Sequence, residues 1–294
     1  MMDLDPAQLR ALAAAVSEGT FDAAARTLHV TPSAVSQRVK ALETSVGRVL
    51  LTRTKPVRPT PSGETLLRLA RQIQAVTDDV ARELGDDEPA AGPRVVPLAV
   101  NADSLSTWFL PALASLGGSL VFDLHRSDQD RTADLLRQGS VMAAVTASEE
   151  PVPGCSLEKL GRMRYRPMAS PAFAERWFAG GATAAELAHA PVVVFDRDDR
   201  LQEAYLRRRS RRGLQPPRHF VPGSTDFFEA VRLGLGWGML PDLQTEHAVE
   251  GEFVDLDPRG HLDVALYWQQ WKLRSASLDA VTAAVRDAAA TALR

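Results

Sequence analysis

FDAAARTLHVTPSAVSQRVKALETSVGRVLLTRTKPVRPTPSGETLL, residues 21–67, decides how this chain folds at its N-terminal end. Two short amphipathic helices face each other across a tight turn at His29-Val30-Thr31. The first carries Phe21, Ala24, Ala25 and Leu28 on one face. The second opens at Thr31-Pro32, buries Val35, Val39 and Leu42, and stops at Gly47. Side-chain chemistry sets these limits. A threonine hydroxyl accepts the unpaired N–H groups of a first turn, and proline at the first helical position gives up no hydrogen bond. His29 reads as a turn residue packing on the bundle.

The second helix leaves Ser33, Ser36, Gln37 and Lys40 opposite its buried side, with Thr31 at its start and Arg38 at the margin. Small hydroxyl residues let a helix approach the DNA major groove closely. Gln37 can make a paired contact with adenine, and Lys40 can reach guanine or phosphate. The segment from Leu50 to Pro61 is short, basic and proline-punctuated, as a two-stranded wing would be. Its Arg53, Lys55 and Arg58 suit the sugar-phosphate backbone or the minor groove. Net charge is −3 over 294 residues, which taken alone argues against nucleic acid. Between residues 38 and 58, however, six cations (Arg38, Lys40, Arg48, Arg53, Lys55 and Arg58) meet only Glu43, a local +5. The alternative is a small helical bundle with solvated faces. It explains each feature singly, but not the agreement of caps, helix lengths, hydroxyl-rich face and wing.

Upstream, Asp5-Pro6 repeats the cap logic for a helix carrying Leu9, Leu12, Ala13 and Val16, ended by Gly19. Downstream, Ser62-Gly63-Glu64 starts a long helix with Leu66, Ile73, Val80 and Leu84 at or near sevenfold spacing, a seam for a partner helix. The organisation expected is a winged helix-turn-helix over 1–61, a linker helix over 62–84, a polar linker over 85–93 and a second domain over 94–294. There strands (Val95–Val100, Leu120–Leu124, Val141–Val145, Val192–Phe195, His219–Val221, Leu262–Trp268) alternate with helix-length segments. That alternation implies parallel sheets with ligand sites at strand ends. Trp108, Trp237, Trp268 and Trp271 read as core or hinge packing, and the arginines at 207–209, 211 and 212 as an exposed helix or intersubunit contact.

Apolar residues at 45% and charged residues at 24% are ordinary for a soluble domain. The first ten residues include Asp3 and Asp5 and no apolar run, which excludes a usual secretory signal. No apolar stretch is long enough for a bilayer. Cys155 is the only cysteine, so no internal disulfide is available. A cytoplasmic location is the expectation.

The quoted segment resembles the N-terminal domain of LysR-type transcriptional regulators. The alanine pair before Leu28, the Ala-Val-Ser-Gln of residues 34–37, Leu42-Glu43, Arg53-Thr54 and the Thr-Pro-Ser-Gly-Glu of residues 60–64 carry the likeness. Leu51 departs from it, since the family usually has phenylalanine there. The resemblance implies an all-α winged helix-turn-helix with linker helix, then an α/β two-lobed effector domain of the type 2 periplasmic-binding-protein kind. Lobe I is expected over 94–165 and 268–294, and lobe II over 166–267. It also implies a homodimer through the linker helix, commonly a homotetramer, on double-stranded DNA at a dyad-containing promoter site, with no cofactor beyond a small-molecule effector.

NADSLSTWFLPAL (101–113), VMAAVTASEEPVPGC (141–155), FDRDDRLQ (195–202), FFEAVRLGLGWGMLP (227–241) and HLDVALYWQQWKL (261–273) further resemble the regulators of lysine and arginine export, the LysG/ArgP type. That likeness implies a basic amino acid (lysine, arginine or histidine) as effector and an exporter gene as target. The residues are compatible. Asn101-Ala102-Asp103-Ser104 runs from strand to helix, so backbone N–H groups with the Ser104 and Thr107 hydroxyls could hold a carboxylate. Thr146 should reach the same cleft, and Ser224-Thr225-Asp226 sits at a similar junction in the other lobe. Acceptors for a cation could come from Asp128, Asp130, Asp196, Asp198, Asp199 or Asp226. The bland alternatives are that Asp103 or Ser104 only caps a helix, and that most of these aspartates are solvated or paired with Arg126, Arg131, Arg197 and Arg200.

An enzyme is disfavoured: the six histidines lack metal-ligand spacing, Cys155 has no evident base partner, and no glycine-rich phosphate loop occurs. A solute-binding protein fits the second half alone. The nearest rivals are a regulator of the same family sensing an aromatic or carboxylic acid, and a general architectural DNA-binding protein.

Overall fold

Three helices open the chain, and each begins at a side chain that accepts its first free N–H groups. The computed structural model describes residues 4–52, 54–83, 94–127 and 129–294. Asp5 Oδ1 accepts from Ala7 at 2.7 Å ahead of α1 (Pro6–Ser17). Thr20 Oγ1 accepts from Ala23 at 3.1 Å ahead of α2 (Phe21–Thr27), and Thr31 Oγ1 from Ala34 at 3.2 Å ahead of α3 (Pro32–Val46). His29 turns the chain between α2 and α3 at φ 51, and Gly47 ends α3 at φ 69, both in the left-handed region. Leu9, Leu12, Ala24, Ala25, Val35, Val39 and Leu42 then share one buried core.

The wing is two short antiparallel strands, β1 (Leu51–Thr52) and β2 (Arg58–Pro59). Leu51 is buried in the same core, so the smaller side chain serves as packing. A long helix, α4 (Pro61–Glu83), follows. Its first turn lies hard against the chain entering the wing: a Cβ on Gly63 would fall 1.9 Å from the Leu50 carbonyl oxygen. Leu66 and Ala70 complete the head's core, while Ala75 joins that of the second domain. Ile73, Val76 and Val80 stay exposed and form the apolar stripe expected of a partner-seeking helix. Leu84 and the 85–93 linker lie outside the described residues.

The second domain runs β3 (Arg94–Val100), α5 (Ala102–Ser104), a π-helical turn over Leu105–Phe109, α6 (Leu110–Ala114), β4 (Leu120–Arg126), α7 (Gln129–Arg137) and β5 (Ala143–Thr146). Then come β6 (Cys155–Ala169), α8 (Pro171–Phe178), α9 (Ala184–Leu187), β7 (Val192–Val194), α10 (Leu201–Arg209), β8 (Arg218–Phe220), α11 (Ser224–Arg232) and β9 (Gly238–Pro241). The chain finishes with α12 (Asp242–Thr245), β10 (Val254–Asp255), β11 (Leu262–Trp271) and α13 (Ala276–Ala292). One sheet has the order β10-β6-β11-β5-β3-β4, with β9 also on β6, and β7 and β8 pair separately.

The alternating pattern implies parallel sheets, and this holds only in part. β3 is parallel to β4 and β5, and β7 to β8, but β6, β9, β10 and β11 pair antiparallel. The reason is β6, whose 15 residues mix buried Met163 and Tyr165 with Lys159, Arg162 and Arg164. β6 and β11 pair along their length and pass through both halves, with a register shift between Leu266 and Tyr267. The lobe limits expected at 165 and 267 therefore fall inside these strands. Trp237, Trp268 and Trp271 are fully buried and Trp108 nearly so, as packing residues.

The close approach at Gly63 gives a direct test. Gly63→Ala must push α4 off the wing, and overpacking of this kind costs about 1–3 kcal/mol. Urea unfolding followed by circular dichroism should show that loss.

Candidate functional site

The head presents one polar face. Thr31, Ser33, Gln37 and Lys40 are exposed along α3, and Ser36 and Arg38 are half-buried beside them. Thr31 is occupied as a cap and shares a 2.9 Å hydrogen bond with Ser33. Lys55 and Arg58 are exposed on the wing, and Arg53 lies outside the described residues. Glu43, the one acid in the basic window, turns inward: its Oε1 accepts from the Leu50 N–H at 2.8 Å. The cationic face is thus left to solvent with its only opposing carboxylate engaged.

Between the lobes lies a cavity of about 510 Å³. Lobe I supplies strand ends: Asn101 and Asp103 after β3, Ser127 and Thr132 around the start of α7, and Thr146 at the end of β5. The other lobe supplies Phe195, Asp196 and the residues from Asp198 to Gln202 after β7, and Gln244 from α12. Tyr165 of β6 and Leu266 of β11 line it as well.

Asp103 is the central group. Its Oδ2 accepts from the Tyr165 hydroxyl at 2.7 Å, and its Oδ1 from the Ser224 hydroxyl at 2.5 Å. Ser224 in turn contacts Ser106 at 3.0 Å and accepts from Gln244 Nε2 at 2.7 Å. One carboxylate therefore closes a hydrogen-bond chain between the lobes. Burial raises its pKa, against the lowering effect of its two hydroxyl partners. Burial and the adjacent carboxylate push the Tyr165 phenol far up, which keeps it a donor.

Asp199 is the second inward carboxylate. It accepts backbone N–H groups from Phe195 at 3.1 Å and Leu201 at 2.9 Å. The side-chain amide of buried Gln202 stands 2.8 Å from it, and only the amide nitrogen can bond there. Burial raises its pKa, and Asp103 and Asp196 add to the shift by repulsion. Asp196 folds the loop by accepting the N–H groups of Asp198 and Asp199. The one cationic side chain in the lining, Arg200, is 74% exposed and paired with Glu203. The described lining is thus an acidic pocket without an inward cation. Asn101 Oδ1 is also buried without a hydrogen-bond partner.

Of the effector residues expected from sequence, the structure brings Asn101, Asp103, Thr146 and Asp198 to this cavity, Asp198 at its exposed rim. It does not bring Ser104, Thr107, Thr225 or Asp226 there. Ser104 faces the core of the helical run and is fully buried. Thr107 and Thr225 line a separate groove of about 550 Å³, because the π-turn and the first turn of α11 rotate them away. Asp226 is exposed at the start of α11, and Asp128 lies outside the described residues. Asp103 is no mere cap, since its carboxylate binds across the cleft. Sequence reasoning missed Tyr165, Gln202 and Gln244, named Ser224 only as part of a strand-to-helix junction, and named Asp199 without separating it from its neighbours. The Asp196-Asp198-Asp199 cluster was a signal for acid at the site, but nothing in it says which carboxylate turns inward.

These shifts fix a pH dependence. A carboxyl whose folded pKa lies above its ordinary value of 3.8 holds its proton more tightly folded than unfolded. Its stabilising contribution is complete below that value and is lost as pH rises through the raised one. Ligand-free Asp103→Asn should therefore gain stability relative to the parent as pH rises from about 4 to about 8. Urea unfolding across that range checks it; a difference that stays flat contradicts the burial.

Comparison with known proteins agrees with this two-part layout. Residues 6–64 match the bacterial regulatory helix-turn-helix proteins of the lysR family, and residues 95–290 match the LysR substrate binding domain. The chain is 42% identical over 298 residues to the lysine export transcriptional regulatory protein LysG of Corynebacterium efficiens, spanning 99% of this chain and 100% of that one. It is similar to the crystal structure of ArgP from Mycobacterium tuberculosis, with TM-score 0.90, 47% identity and 99% of each chain covered. It is also similar to full-length LysG from Corynebacterium glutamicum with bound effector Arg, with TM-score 0.80, 38% identity and 99% of each chain covered.

Proposed function

The chain belongs to the LysR family of transcription regulators, and from that premise we propose that it is a cytoplasmic regulator whose effector is a basic amino acid. Lysine, arginine or histidine binds between the lobes, and the gene controlled encodes an amino-acid exporter. The protein acts as a homodimer or homotetramer on a dyad-containing promoter site. It is a sensor and not an enzyme, in keeping with a family of regulators. No helix among the described residues is long and apolar enough to cross a membrane.

One observation carries the effector reading: Asp103 and Asp199 both line the cavity, and the one cation of the described lining, Arg200, is exposed and paired with Glu203. A buried carboxylate is costly unless a positive charge meets it. An ammonium or guanidinium group supplies that charge, whereas an aromatic or carboxylic acid would add a further negative one. The rival effector class is disfavoured on this ground. The names of the relatives point the same way, one called a lysine export regulator and one solved with arginine bound.

The mechanism follows from placement. A ligand touching Asp103 on one lobe and Asp199 on the other favours one lobe arrangement, and only that preference can do regulatory work. On DNA, the exposed face of α3 reads base edges while the wing holds backbone.

A thermal-shift panel tests the effector. L-lysine and L-arginine should raise the melting temperature, with about 2.7 kcal/mol of stabilisation at a hundredfold excess over Kd. L-norleucine and L-glutamate should not. Stabilisation by norleucine equal to that by lysine would defeat the reading.

Mobility shifts on the promoter beside its own gene test the head. Gln37→Ala should weaken specific binding by about 1–3 kcal/mol and relax base preference. Lys40→Ala should weaken all duplexes alike and flatten the salt dependence if it contacts phosphate.

A further inference from the structure

A signal from the cavity must leave the effector domain to reach DNA, and α7 spans that distance. Thr132 of its first turn lines the cavity, as does Ser127 just before the helix. Two residues past its end lies Gly139, at φ 70, which α4 touches directly: a Cβ on Gly139 would lie 2.7 Å from the Arg68 Cα. Arg68 Nη1 donates to the Pro153 carbonyl at 2.9 Å. One turn along, Arg71 Nη1 donates to the Gly139 carbonyl, and its Nη2 donates to Ser17 Oγ at 3.1 Å. Ser17 is the last residue of α1, in the DNA-binding head.

We propose that Arg71 is the positioning residue that couples α7 to the DNA-binding head, its single guanidinium joining effector domain, linker helix and α1. The guanidinium is a rigid planar fork, so its two hydrogen bonds share one geometry. A displacement of Gly139 along α4 cannot keep both. The hydrogen-bond partners named for the fork, a carbonyl and a hydroxyl, are neutral, and the nearby charge acting on it is Asp123 of β4. Burial lowers its pKa to about 10, so it remains a cation at physiological pH. Arg71 is half-buried and its bond to Ser17 is exposed, so a fork that leaves its partners is taken up by water. The junction therefore has two arrangements, fork engaged and fork hydrated. A switch needs such an element, one whose equilibrium a ligand can bias.

The ligand arm of this inference rests on the basic amino-acid reading; the junction itself does not. Hydrogen–deuterium exchange of the full-length chain separates the two. Without ligand, Arg71→Met should speed exchange of the amides around residues 138–141 and of those around residues 17–19, each by about tenfold, with α10 unchanged. Unchanged protection in both segments overturns the proposal. If Arg71→Met does not fold, Arg71→Lys decides. It keeps the charge but cannot span both acceptors, so it should lose at least one of the two protections; a lysine variant matching the parent overturns the proposal.

In the second arm, L-arginine should slow exchange over 195–202 in both parent and Arg71→Met, and alter exchange at 17–19 in the parent alone. A variant that still passes the change to 17–19 overturns the coupling role. Should L-arginine protect no part of the parent cavity, the effector reading falls while the ligand-free arm still judges the junction.

Discussion

A carboxylate buried without a cation at the meeting of two lobes constrains much of the effector domain. Asp103 is desolvated, and a phenol from a long strand and a hydroxyl from the opposite lobe donate to it against the raising effect of burial. Neutral donors offset part of the desolvation but supply no positive charge. Asp199, close enough to repel it, adds to the unbalanced negative charge. The same atoms thus tie the lobes and create demand for a cationic guest. The cost of that unbalanced charge and the affinity for a cation are opposite sides of one electrostatic account.

The scaffold makes that imbalance mechanically useful. β6 and β11 run unbroken through both halves and set the back of the cleft. Loops at the ends of β3, β5 and β7 bring the polar groups forward from either side. Whatever bridges the cleft pulls on elements anchored elsewhere, and the helix beginning beside Ser127 ends against the linker helix at Gly139. The head is built more simply. Three capped helices and a two-stranded wing share one core, and the outer side of α3 is left free for recognition.

The parts legible in the sequence are those whose causes are local. Asp5, Thr31 and Gly47 mark helix ends within a few residues of the bonds they make, so the head could be read nearly element by element. The exposed stripe of Ile73 and Val80 was equally visible as spacing along one helix. The effector domain yields less, because its decisive contacts are distant in the chain. Asp103 meets Tyr165 across 62 positions and Ser224 across 121. β6 was missed because a half-buried strand dotted with arginines has no clean period. The sequence offers Asp196, Asp198 and Asp199 alike, and how the Asp196 carboxylate folds the loop separates them: Asp198 stands at the exposed rim and Asp199 is half-buried. Their strand-to-helix junctions suggest the cleft for Thr107 and Thr225, and helix rotation puts them in another groove.

The central claim is that buried carboxylates recognise a positive charge and not merely the shape of an amino acid. Titration calorimetry with L-arginine and L-citrulline isolates it, since the two share length and hydrogen-bonding outline and differ in charge. The account predicts at least a tenfold preference for arginine, about 1.4 kcal/mol, and predicts that Asp103→Asn shrinks that gap. Citrulline bound as tightly as arginine by the unaltered protein would contradict it.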